Sequence, residues 1–76
     1  MTLESAYATN LLRAVQAGLY EAMTESRLAQ YNLYAMRDTS AYADIEGVYV
    51  LLTEINPRIE SAYAAISEAL KEANNV

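Results

Sequence analysis

The chain has 76 residues, 54% of them apolar, and ten acidic side chains against five basic ones give it a formal charge of −5. With neither cysteine nor histidine, it has no disulfide framework, no thiol or imidazole for nucleophilic catalysis, and no Glu-x-x-His pairs of the kind that hold di-metal sites in helical bundles. The five bases, Arg13, Arg27, Arg37, Arg58 and Lys71, are scattered without a stripe, which argues against direct nucleic-acid binding.

Leu3 to Met36 reads as a first helix. Ala8, Val15, Ala22, Ala29 and Met36 recur in one heptad column, Leu12, Leu19, Ser26 and Leu33 lie beside it, and Leu11 and Gly18 widen the stripe. Thr9, Arg13, Gln16, Thr24 and Arg27 define the polar side. Thr2 is the expected N-cap, Glu4 suits the positive end of the helix dipole, and Arg37 suits the negative end.

Asp38-Thr39-Ser40 places three N-cap-competent residues in a row, so the turn is expected at about 37–39. A second helix then runs from about residue 40 to 74. Its apolar seam keeps three-and-four spacing from Ile45 to Ala73, in the columns Ile45, Leu52, Ile59, Ile66, Ala73 and Val48, Ile55, Ala62, Ala69.

Pro57 interrupts this pattern chemically, because it lacks the N–H that would bond the Thr53 carbonyl and its ring crowds that carbonyl, a penalty of ~3 kcal/mol. Asn56-Pro57 also has the form of an N-cap followed by a first-turn proline. The uninterrupted phase through Leu52, Ile55, Ile59 and Ala62 favours a kinked continuous helix over two separate ones. In a straight hairpin hinged at 37–39, Gly18 lies level with Arg58 and Ile59, where its missing side chain would make room for the bend.

The expected architecture is therefore all-α: a single antiparallel helical hairpin whose second helix is kinked or broken at Pro57, assembling into a four-helix bundle or larger helical oligomer. The apolar surface exceeds what a lone hairpin can hide, which points to a homodimer or other homo-oligomer, or to a helical or basic protein partner. The longest apolar runs, 48–52 and 62–66, are too short to span a bilayer, so no membrane partner is expected. The first residues lack a basic start and an apolar stretch, which makes the cytoplasm the expected compartment.

Seven tyrosines are present, with no phenylalanine or tryptophan. Tyr42, Tyr49 and Tyr63 share a column with Asn56 and Leu70 on the edge of the seam, while of Tyr20, Tyr31 and Tyr34 in the first helix, Tyr20 and Tyr31 project toward its polar side, where aromatic anchors suit a binding surface. The candidate interface residues are Leu12, Val15, Leu19, Tyr20, Tyr31, Tyr34, Tyr42, Ile45, Tyr49, Leu52, Ile59, Tyr63 and Ile66. No catalytic, metal-binding or cofactor-binding residue is expected.

Gln30-Tyr31-Asn32-Leu33-Tyr34 resembles a five-residue stretch of type III secretion needle subunits, which are also small helical hairpins. In those proteins the stretch lies in the second helix and the inter-helix turn carries a proline; here it lies in the first helix and the only proline is Pro57, so no family is assigned. The hairpin shape also resembles small secretion co-chaperones and dimeric hairpin regulators. The functional expectation is a non-enzymatic protein–protein interaction module of the adaptor, co-chaperone or assembly-factor kind. The alternatives are an acidic inhibitor of mobile-element type that blocks a nucleic-acid-binding protein, and a helical filament subunit.

Overall fold

The computed structural model describes the backbone of residues 3–74 and the side chains of residues 5–73. Helix α1 spans Leu3–Ala35 and helix α2 spans Tyr42–Asn74, packed antiparallel into a rod 58 Å long and 15 Å across. Among the described residues there is no strand. The radius of gyration is 17.2 Å, against about 11 Å for a round domain of this length. The accessible surface is 5679 Å², about 1,000 Å² more than a typical monomer of 8.4 kDa exposes.

The turn is longer than the sequence suggests, occupying residues 36–41. Helix α1 ends without a left-handed residue, since no described residue has positive φ. It instead tightens through successive short-range bonds: Met36 N–H is shared between the Asn32 and Leu33 carbonyls at 3.3 and 3.2 Å, Arg37 N–H reaches Tyr34 O at 3.2 Å, and Thr39 N–H reaches Met36 O at 3.0 Å. This is how a helix can finish with no glycine.

The Thr39 hydroxyl, read from sequence as a cap for α2, turns back and donates to Met36 O at 2.7 Å. Arg37 donates from Nη1 to Tyr34 O at 3.0 Å and lies 4.2 Å over the Tyr34 ring, so a cation does serve the negative end of α1. The cap expected at Thr2 and the Glu4 side chain lie outside the described residues.

Helix α2 runs unbroken through Pro57. Pro57 and Thr53 both face outward, so water can take the Thr53 carbonyl that has lost its helical partner, and the backbone defect is not buried.

Each helix contributes a strict three-and-four seam. Writing the heptad a to g, α1 buries or half-buries Thr9, Gln16, Met23 and Gln30 at a, with Leu12, Leu19, Ser26 and Leu33 at d. Helix α2 does the same with Tyr42, Tyr49, Asn56, Tyr63 and Leu70 at a, and Ile45, Leu52, Ile59, Ile66 and Ala73 at d. The column that closes against α1 beside Ile45–Ala73 is therefore the tyrosine column. Val48 and Ile55, on the other side, remain 48% and 41% exposed.

The seam is thin. Among the described residues Leu70 is the one buried hydrophobic side chain, and none is completely enclosed. Buried polar residues share the seam: Asn56 accepts from the Ser26 hydroxyl at Oδ1 and donates from Nδ2 to Gln30 Oε1, so its amide is satisfied on both sides. Here Asn56 serves the interhelical seam and not the cap of a new helix. A satisfied polar residue at an a position fixes register at some cost in stability. The variant Asn56→Ala is expected to lower unfolding stability by about 1–3 kcal/mol in a urea titration, because it leaves two hydrogen-bonding partners unsatisfied and opens a gap at mid-rod.

Candidate functional site

The two long flanks of the rod differ in chemistry, because an antiparallel pair places both e columns on one side of the seam and both g columns on the other. On the e flank, Arg27 and Glu60 form an ion pair across the helices and Gln16 donates to Ser67 Oγ at 3.0 Å. The pair is half exposed, so its net contribution is about 0–1 kcal/mol, and it serves chiefly to mark this side as the finished one.

Tyrosines complete the e flank. Tyr20 packs on Tyr63 with ring centroids 5.9 Å apart, Tyr34 on Tyr49 at 6.3 Å, and Tyr42 meets Tyr49 edge-on at 6.5 Å. Such tilted pairs are the arrangement that aromatic quadrupoles favour. The Tyr42 phenol is held above its ordinary pKa by partial desolvation first, then by the Glu46 carboxylate and Tyr49. A shallow open groove between Arg27, Gln30, Tyr31, Tyr34 and Tyr49 lies on this flank.

The g flank carries no charge at its centre line. Ala8, Val15, Ala22, Ala29 and Met36 line it on α1; Val48, Ile55, Ala62 and Ala69 line it on α2. Just outside them at c, Leu11 and Leu51 are 51% and 56% exposed. The d side chains Leu12, Leu19, Leu33, Ile45, Leu52, Ile59 and Ile66 are only half buried, and they lean toward this side of the seam. The result is one apolar strip along the rod, larger than the scattered hydrophobic residues normal on a protein surface.

The candidate interface residues thus divide into three groups. Leu12, Leu19, Ile45, Leu52, Ile59 and Ile66 form the half-covered floor of the apolar strip, and Val15 stands on it. Tyr42, Tyr49 and Tyr63 pack inside the hairpin against Tyr34 and Tyr20, while Tyr31 projects outward at 69% exposure. Sequence reasoning did not single out Val48, Leu51 and Ile55 as interface residues, although their heptad spacing beside the d column was visible.

The register is set by Gln16 with Ser67, Tyr20 with Tyr63 and Tyr34 with Tyr49, where each step up one helix matches a step down the other. It brings Gly18 level with Ala65, and not with Arg58 and Ile59 as a hairpin folded symmetrically about its turn would require. A Cβ on Gly18 would meet nothing within 4 Å, so this glycine gives no clearance for a bend inside the hairpin.

Among the described residues no group of three or more Asp, Glu, His or Cys side chains is placed to hold a metal ion, and no helix is long and apolar enough to cross a membrane. No protein family, curated protein or solved structure matches the chain.

Proposed function

We propose that the protein is a protein–protein interaction module whose activity is binding, without catalysis, through the apolar g flank. The observation that carries this reading is the difference between the two flanks: one is closed by an interhelical ion pair, hydrogen bonds and ring contacts, while the other is a continuous apolar strip with half-exposed leucines and isoleucines beneath it. Affinity would come from removing that strip from water at ~25 cal/mol per Å². Specificity would come from the polar residues at its rim.

The acidic-inhibitor alternative calls for carboxylates gathered on one face. Glu4 aside, the acids instead divide between the e flank at Glu46 and Glu60, the g rim at Glu25, Asp44 and Glu72, the turn at Asp38, and the outer backs of the helices at Glu21, Glu54 and Glu68. The strip is therefore the better basis for function. The purified chain is expected to sediment above its 8.4 kDa monomer mass at micromolar concentration, with the assembly dissociating on dilution; a well-folded monomer at all concentrations would count against self-association.

A further inference from the structure

We infer that the occupant of the apolar flank is a second copy of this chain, laid on it about a two-fold axis parallel to the rod, so that both turns lie at the same end and α1 of each copy faces α2 of the other. This rests on the reading above that the flank binds protein. The face is about 58 Å by 15 Å, a flat footprint of roughly 900 Å², and a stable dimer needs about 800 Å² from each partner. A closed two-fold pair uses the same strip on both copies, so neither strip is left open.

The orientation follows from register. A two-fold axis along the rod leaves heights unchanged, so residues level within one hairpin are also level between copies. Val15 then meets Ala69 and Ile55 meets Ala29, each a larger side chain beside a small one. Gly18, with empty space around its Cβ position, meets Ala65 and allows the backbones to approach closely.

Charge supports the same pairing. Glu25 and Arg58 both stand at c on the rim, level with each other and of opposite sign, and neither takes part in an ion pair within its own hairpin. In the proposed dimer each Glu25 meets the Arg58 of the other copy, twice by symmetry. An axis across the rod would instead set α1 on α1, and the g and c columns of α1 carry no base to receive Glu25.

The chain has no cysteine, so Asp38→Cys in the exposed turn gives a unique site for a spin label. Helix layers pack about 8–10 Å apart, and the two labels are expected within roughly 25 Å of each other; a separation approaching the 58 Å rod length would overturn the orientation. Glu25→Arg alone and Arg58→Glu alone should each weaken dimerisation up to about tenfold, since each converts two rim attractions into repulsions, and mixing the two variants should restore it. Failure of the mixture to recover would overturn the pairing while leaving self-association intact. A chain that stays monomeric at millimolar concentration yet fully helical by circular dichroism would overturn both this inference and self-association, and with them the second copy as occupant.

Discussion

Ile55→Glu is expected to break the proposed self-association, weakening it by at least a hundredfold in sedimentation equilibrium while leaving helicity almost unchanged. Ile55 is 41% exposed in the isolated hairpin, so a carboxylate there can reach water when the chain is alone. Once the strip is covered, the same carboxylate is stripped of solvent beside alanines, and the cation nearest to it along the rim, Arg58 three residues on, is engaged by Glu25 of the other copy in the proposed dimer. Desolvating an unpaired charge costs several kcal/mol even after relaxation, a two-fold dimer incurs that cost twice, and each ~1.4 kcal/mol is a tenfold change in affinity. Val50→Glu is the matching control: Val50 is 48% exposed on the opposite outer surface, and its replacement should leave the mass unchanged.

Leu70→Ala acts on the fold itself. Leu70 is the one buried hydrophobic side chain among the described residues, and large-to-small replacement in a core costs about 2–5 kcal/mol. A domain of this length has a total stability of only about 4–11 kcal/mol, so this substitution is expected to remove a large part of it, measured as loss of helical signal at lower temperature and lower urea. Leu28→Ala, at a position 58% exposed on the outer back of α1, should change stability by no more than about 0.5 kcal/mol. If both variants melt alike, the seam does not carry the stability assigned to it.

Much of the hairpin is legible in the chain. The d columns, Leu12 with Leu19 and Leu33 on one side and Ile45 with Leu52, Ile59 and Ile66 on the other, follow from spacing alone, and they are the residues that line the seam. What spacing does not decide is which neighbouring column completes it, because a and g flank d symmetrically.

Hydropathy favours Val48, Ile55, Ala62 and Ala69, yet the molecule closes on Tyr42, Tyr49, Asn56, Tyr63 and Leu70. The reason lies in pairwise complementarity. Asn56 is acceptable inside because Ser26 and Gln30 stand opposite to satisfy it, and Tyr49 and Tyr63 find ring partners in Tyr34 and Tyr20. Neither fact can be known before the register is known. The pairs that set it are centred near residue 41.5 and not on the middle of the 36–41 turn, so the level of Gly18 lies about two helical turns' worth of residues from where a symmetric hairpin would put it. The apolar strip is visible in outline as the surplus of aliphatic side chains, and its location follows only once the tyrosine column is assigned to the inside.

A rod of 58 Å by 15 Å stacked from repeating layers has no centre on which the rest depends in the way a globule does. Evolutionary change in its length is therefore constrained in an unusual manner: a seven-residue segment can be lost or gained only if a matching segment at the same height disappears from or enters the opposite arm. An indel confined to one arm would slide every layer on the far side of it; placed between the turn and mid-rod it would separate Asn56 from Ser26 and Gln30, and if it were not a whole heptad it would also rotate greasy side chains toward the sealed edge. Descendants of this chain should thus differ by paired heptads or in the 36–41 connection, and seldom by anything in between.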